Sequence, residues 1–335
     1  MEILKNFSLK KYNTFKIDAI AENYVSVKNV RELIEVLKME GYKEKFILGG
    51  GSNILITQDI KGLVIHINIK GIKEEVKENN ITEVVAFAGE NWHSLVEWCL
   101  SKKLGGIENL SLIPGNVGAA PIQNIGAYGV ELKDLLVSCD VINLKTHKIE
   151  TFDNDACKFE YRNSVFKKTN DYIVISIRIK LTNNNHKLNL EYKGIQQKLN
   201  ELNIKNPNIH DISKAVINIR NEKLPNPEKI GNGGSFFKNP VVSIDKITKL
   251  KSTFNEIPYY SIDKNKYKIP AAWLIEKAGF KGKNYGNCGV HKDQALVLVN
   301  HKSAKGSDIL NLSISIKQAI KLIFDIELEP EVNII

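Results

Sequence analysis

Between Asn109 and Val130 the chain carries no charged side chain, although Asp, Glu, Lys and Arg make up 25% of the protein. Within that stretch Pro114-Gly115-Asn116-Val117-Gly118-Ala119-Ala120-Pro121-Ile122-Gln123-Asn124-Ile125-Gly126-Ala127-Tyr128-Gly129 packs four glycines and three alanines into sixteen residues. An uncharged run with so many turn-formers is a buried loop, and a buried loop has to satisfy its own N–H and C=O groups. Small residues let that backbone approach a neighbour closely. A large flat ligand with a ring and a pyrophosphate suits such a surface. So does a core crossover that holds nothing, and the composition alone leaves both open.

A second glycine cluster sharpens the choice. Phe46-Ile47-Leu48 leads into Gly49-Gly50-Gly51-Ser52-Asn53, and Ile54-Leu55-Ile56 follows at once, giving strand, tight turn, strand. The dinucleotide fingerprint needs G-x-G-x-x-G opening a helix, and no G-x-x-x-x-G-K-[ST] loop occurs either. What remains is a turn of exposed N–H groups, able to cradle a pyrophosphate or to serve only as a turn.

At 335 residues and 37.7 kDa two domains are expected. The spacing of Val30, Leu33, Ile34 and Leu37 predicts a helix capped by Asn29 and Glu32 and stopped near Gly41. Strands are predicted over 84–88, 137–144 and 171–181, the last from the alternation of Ile173, Ile175, Ile177 and Ile179. A helix opens at Trp92. The polar run Asn183 to Lys187 marks a boundary. Beyond it, helices are predicted from Asp211 through Ile219, from Pro270 to Gly279, and from about Ser307 to Phe324. The class is α+β.

The formal net charge of +9 favours anionic ligands, but the lysines are dispersed along the chain, not gathered into a nucleic-acid patch. Lys5, Lys10 and Lys11 interrupt the apolar pieces at the start, so neither a signal peptide nor a membrane span is expected. Cys99, Cys139, Cys157 and Cys288 form no C-x-x-C pair and read as reduced, gap-filling thiols.

Three further clusters carry chemistry. Tyr161-Arg162-Asn163-Ser164 sets a planar bidentate cation beside a phenol, fit for a carboxylate or phosphate or for a surface ion pair. Gly231-Asn232-Gly233-Gly234-Ser235-Phe236-Phe237-Lys238-Asn239-Pro240 delivers one hydroxyl, Ser235, without the elbow pattern of a serine nucleophile. It is a proton or hydrogen-bond donor, or a turn cap. Glu329-Pro330-Glu331-Val332 brings carboxylates near the end of the chain, and His291 has no partner at metal-ligand spacing, so no metal is expected.

In order, Asn13-Thr14-Phe15, GGGSN at 49–53, IPGNVGAAPIQNIGAYG at 113–129, YRNSVFK at 161–167, KLPNP at 223–227, GNGGSFFKNP at 231–240, AAWLIEKAG at 271–279 and EPEV at 329–332 resemble the UDP-N-acetylenolpyruvoylglucosamine reductases, the MurB family of bacterial cell-wall synthesis. The resemblance implies an FAD-binding domain of the vanillyl-alcohol-oxidase (PCMH) type over 1–182. A smaller α+β substrate-binding domain over 183–335 would follow, with a substrate loop near 188–204 and a tail returning to the active site. It implies that Gly49, Gly50, Gly51, Ser52, Asn53, Pro114, Gly115, Gly118, Gln123, Asn124, Gly126 and Tyr128 hold FAD, non-covalently since neither loop has His or Cys. Arg162, Ser235 and Glu331 match the catalytic positions, and Tyr161, Tyr192, Lys223 and Asn239 the substrate contacts. Tyr192 would be the lid residue of the family's larger subtype, and Lys277 stands where other members can have glutamine. NADPH would reduce the flavin and a UDP-sugar would reoxidise it, in the cytoplasm, with no membrane, nucleic acid or obligate protein partner. An FAD-dependent alcohol or hydroxy-acid oxidase and a basic nucleotide-binding module are the alternatives.

Overall fold

Two apolar strips of the sequence, one at helical and one at strand spacing, build the first layer. In the computed structural model, which describes residues 1–335 apart from the side chains at 76 and 77, Val30–Lys38 is a helix. Asn29 Oδ1 accepts from the Glu32 N–H at 2.9 Å while the Glu32 carboxylate accepts from the Lys28 N–H at 2.7 Å, a reciprocal cap. Leu33, Val36 and Leu37 are buried against Val25, Val27, Leu63, Ile65 and Ile67. The strands beneath lie in the order Leu4–Ser8, Ile20–Val27, Ile60–Ile67, Lys45–Leu48, and Ile60–Ile67 pairs in parallel with both of its neighbours.

A five-stranded antiparallel sheet follows, ordered Ile149–Asp153, Leu136–Asn143, Tyr172–Thr182, Ile81–Phe87, Ile72–Glu78. The helix Trp92–Ser101 packs on it through Trp92, Leu95, Val96 and Cys99. The central strand departs from simple alternation. Its pairing with Leu136–Asn143 slips between Ser176 and Val174, so Ile173 and Ile175 join the core of the parallel sheet while Ile177 and Ile179 join the core under Trp92. The four isoleucines therefore do not share one face, and the strand is buried from Ile173 through Ile177.

The remaining sheets are Gly231–Ser235, Val297–Asn300, Cys288–Val290, Asn284–Tyr285, all antiparallel, and a small one of Val241–Ser243, Lys266–Lys268, Tyr260–Ser261. The helix Gly306–Phe324 buries Ile309, Leu312, Ile316 and Ile320, and Ala271–Lys277 starts directly after Pro270.

By packing, the chain forms two compact units: Met1–Phe7, Ala21–Gly50 and Ile60–Glu222 in one, Ser8–Ile20, Gly51–Asp59 and Lys223–Ile335 in the other. The division thus differs from a single cut at 182/183. Residues 183–222 stay with the first unit because Ile195, Leu199, Ile212, Ala215, Val216 and Ile219 form a helical-hairpin core against Tyr128 and Leu188. Residues 8–20 and 51–59 go with the second, where Phe15 lies under Gly231 and Gly233. All four cysteines are buried free thiols, with the Cys139 and Cys157 sulfurs 3.7 Å apart. Among the described residues no helix is long and apolar enough to cross a membrane, and no three His, Cys, Asp or Glu side chains gather as a metal site.

Candidate active site

In the first unit the uncharged loop is fixed by its own backbone. The Trp92 N–H donates to the Gly115 carbonyl, Val117 N–H to Glu90, and Gly118 N–H to Ala88, while the Trp92 indole N–H reaches the Leu110 carbonyl at 3.0 Å. Glycine is required by contact at two points: a Cβ on Gly118 would stand 2.6 Å from the Ala88 Cβ, and one on Gly50 2.8 Å from the Asn116 Oδ1. A Cβ on Gly49 would meet nothing within 4 Å. Asn124 is fully buried and its amide holds the loop together, giving hydrogen bonds to Glu131 and receiving one from the Lys133 N–H.

Backbone strain concentrates here. Leu112, Asn124, Tyr128 and Arg162 all have φ between 44° and 58°, in the left-handed region that side chains other than glycine and asparagine avoid. Tyr161 and Arg162 form the tip of a two-residue turn closed by the Glu160–Asn163 bridge. Arg162 Nη2 donates to the Gly126 carbonyl at 2.9 Å, and its guanidinium lies 5.7 Å over the Tyr161 ring. The turn is thereby tied to the glycine loop.

Tyr192, the cap residue before the helix Lys193–Glu201, meets Tyr128 edge to face at 5.0 Å. Asn109 latches the two segments: its amide donates to the Tyr128 carbonyl at 2.9 Å and the Asn189 carbonyl at 3.0 Å. Burial raises the Tyr128 phenol above its ordinary range. Burial also lowers the Arg220 guanidinium, as does the Arg162 charge to a lesser degree.

In the second unit the segment Asn13-Thr14-Phe15 is the clamp. The Asn13 side chain donates to the Leu9 and Ile17 carbonyls and accepts from the Ile17 N–H. Thr14 takes the Gly51 carbonyl by its N–H and offers its own carbonyl to Asn232. Gly51, at φ +61°, admits no side chain, because a Cβ would clash with the Tyr12 carbonyl. Gly234, at φ +72°, lies where the Gly231–Ser235 strand slips against Val297–Asn300, and that bulge sets the direction of Ser235.

Phe236 and Phe237, which follow Ser235, are buried. The Phe236 carbonyl accepts from the Glu331 N–H at 2.8 Å, Phe237 bridges Pro330, and Lys238 pairs with Glu329 through both backbone and side chain. Glu331 is thus hydrogen-bonded to the residue that directly follows Ser235. Asn53 adds a third strut, donating to the Glu331 carbonyl at 3.2 Å, and Asn333–Ile334 pairs in parallel with Ile54–Leu55. Asn239 Oδ1 accepts from the Ala271 N–H at 2.9 Å, Lys223 is exposed at the end of its helix, and Lys277 lies over the Trp273 ring.

The structure thus gathers Tyr128, Tyr161, Arg162 and Tyr192 on the first unit, and Ser52, Asn53, Ser235, Asn239 and Glu331 on the second. Sequence reasoning missed Asn109 and Arg220. Arg220 carried a weak signal: it is a cation three residues before Lys223 on a helix whose apolar positions are otherwise buried.

FAD brings a flat ring system and an anionic pyrophosphate. The residues present fit it: the open space at Gly49, the charge-free loop, and two sealed polar atoms lacking a partner, Asn109 Oδ1 and Arg220 Nε, form a lining suited to such a group. The profile of the FAD binding domain family matches residues 21–152. The first unit carries an FAD-binding domain, and the chain is an FAD-dependent oxidoreductase.

The second part of the chain is more particular. Residues 226–335 match the profile described as UDP-N-acetylenolpyruvoylglucosamine reductase, C-terminal domain. The reductases of that name from Flavobacterium johnsoniae and Amoebophilus asiaticus are 50% and 44% identical, each covering 100% of both chains. That of Pseudomonas aeruginosa is 41% identical over 100% of this chain and 99% of its own. The crystal structure of the Thermus caldophilus enzyme superposes with a TM-score of 0.68 at 22% identity, over 99% of this chain and 98% of that one, and shows the shared fold. The chain belongs to the UDP-N-acetylenolpyruvoylglucosamine reductase (MurB) family.

Proposed function

We infer that this chain uses NADPH and FAD to reduce the enolpyruvyl group of UDP-N-acetylglucosamine enolpyruvate to the lactyl group of UDP-N-acetylmuramate, a peptidoglycan precursor, in the cytoplasm where both nucleotides are available. When bound, FAD takes hydride from NADPH and passes it to the vinyl carbon of the sugar. The observation that supports the site reading is the placing of Ser235 at a bulge, directly before buried Phe236, whose carbonyl accepts from the Glu331 N–H.

Hydride addition at the terminal carbon drives an electron pair onto the substrate carboxylate. Arg162, held by Gly126, supplies a planar bidentate cation for that carboxylate. Glu331 holds the same group when its carboxyl carries a proton. Ser235 gives its hydroxyl proton to the adjoining carbon and recovers one from solvent; against so basic a carbon, a placed hydroxyl is acid enough. Lys223 and Asn239 take the UDP portion, and Tyr192 with Tyr161 covers it, as in the larger subtype of the family.

Ser235→Ala separates the two half-reactions. Bleaching of the bound flavin by NADPH stays near wild type, while reoxidation by the enolpyruvyl sugar slows by about 100-fold, the scale of a lost general acid. Ser235→Cys recovers part of the rate. Equal slowing of both halves would show that Ser235 only shapes the turn.

A further inference from the structure

Arg162 is held at its head and at its backbone, and both holds lead to the same buried side chain. Its guanidinium donates to the Gly126 carbonyl at 2.9 Å. Gly126 lies opposite Glu131 in a two-stranded ladder, and a Cβ on it would stand 2.8 Å from the Glu131 Cγ and 3.4 Å from the Arg162 Nη1. The Glu131 side chain and the Arg162 head therefore close on one glycine. The Arg162 backbone, at φ 55°, sits in the turn that begins at Glu160. Asn124 joins the two. Its amide nitrogen donates to the Glu131 carboxylate at 3.0 Å and, at a longer 3.4 Å, to the Glu160 carbonyl, while its Oδ1 accepts from the Lys133 N–H at 3.0 Å. Asn124 is fully buried and has φ 44°, a conformation that asparagine tolerates and most side chains avoid. Ser164 ties the far side of the turn to the same loop, its hydroxyl donating to the Ile122 carbonyl at 2.8 Å.

We propose that Asn124, through its side chain, is a positioning residue for reduction of the substrate: it holds the Arg162 turn and the Gly126 anchor in register, so that the guanidinium meets the substrate carboxylate in one orientation. This rests on the role inferred for Arg162 above. A long side chain samples many rotamers, and a planar fork aimed wrongly still attracts a carboxylate without matching its two oxygens. One network fixes both the point from which Arg162 starts and the carbonyl on which its head rests. The residue type is constrained in three ways. The left-handed backbone suits Asn, Asp or Gly, the Lys133 N–H needs an acceptor, and the Glu131 carboxylate needs a donor. Asparagine alone of those three residues meets all the conditions.

The test uses the FAD-loaded enzyme with Asn124→Gly, which keeps the backbone conformation and removes the amide. Flavin reduction by NADPH stays near wild type, and reoxidation by the enolpyruvyl sugar falls by about tenfold to 100-fold, the scale of a misplaced group. A double-mutant cycle supplies a readout that a scaffold role would not move. In an Arg162→Met background, Asn124→Gly slows reoxidation no further, because the group it orients is gone. Additive losses, or equal slowing of both half-reactions, overturn the proposal. If the glycine variant does not fold, Asn124→Asp decides. It keeps the shape and the acceptor but sets a second carboxylate against Glu131, in surroundings that also hold Lys133, Asp134, Glu160, Arg162 and Lys168. Two carboxyls so close share a proton at low pH and repel once it is lost. Reoxidation relative to wild type is then restored as pH falls and lost as pH rises; a profile parallel to wild type overturns the proposal. A wild-type flavin that the enolpyruvyl sugar does not reoxidise, or an Arg162→Met variant that reoxidises normally, would instead sink the function inferred above, and this role with it.

Discussion

Gly49, Gly50 and Gly51 are one motif on paper and three different constraints in space. Gly51→Ala forces a Cβ into the Tyr12 carbonyl at positive φ, so a loss of about 2–4 kcal/mol is expected, read as a lowered urea midpoint. Gly49→Ala puts its methyl into open space, so stability should hold within about 0.5 kcal/mol while flavin content after purification falls. Full flavin content in that variant would remove Gly49 from the cofactor lining. Single residues were legible where the sequence isolates them: Ser235 is the one hydroxyl in its turn, and Arg162 the one cation in its own. Arg220 was not, since an arginine in a polar helix normally faces water, and only the packing of Tyr128 against that helix goes with an Nε sealed from solvent. The Asn124 amide is engaged inside the loop, with Glu131 and the Lys133 N–H.

Helices were the easiest elements to foresee because their ends are chemically marked. Asn29 with Glu32, Pro270 with Gly279, and the inward isoleucines of Gly306–Phe324 all lie where spacing put them. The face assignment in Tyr172–Thr182 was hidden, because a slip in pairing belongs to two strands at once and leaves no mark in either. Two element-level expectations follow. Asn109→Ala releases Asn189 and Tyr128 from each other, so substrate KM should rise while flavin reduction is little changed, with about 1–3 kcal/mol lost from the fold. At the end of Gly306–Phe324, Lys246 and Lys321 hold the Asp325 carboxyl down at about 2, below its ordinary 3.8. The charged form is the favoured partner, so this anchorage is complete above the ordinary value and fades as pH falls through it toward about 2. Asp325→Asn, which tolerates the left-handed backbone there, should flatten that part of the acid-unfolding curve. An unchanged curve would mean the lysines contribute nothing to holding the helix end.

Across the whole molecule, composition and motif order conveyed the α+β class and the family, but not the chain's route. The sequence shows one polar break near 183, whereas packing draws residues 8–20 and 51–59 into the second unit and keeps 183–222 in the first. Motif order carries no information about which segment closes on which. Residues 223–335 made alone should therefore fail to fold, lacking Phe15 beneath Gly231 and the strand partner Ile54–Leu55; a dispersed amide spectrum from that fragment would contradict this. The same route bears on synthesis. Phe15, fully enclosed in the finished protein, leaves the ribosome long before Gly231 and Gly233 exist. At roughly 5–20 residues per second the interval is on the order of ten seconds. Any pause in translating codons 60–222 lengthens the time a nascent chain presents that aromatic side chain to the chaperones that attend unfinished proteins.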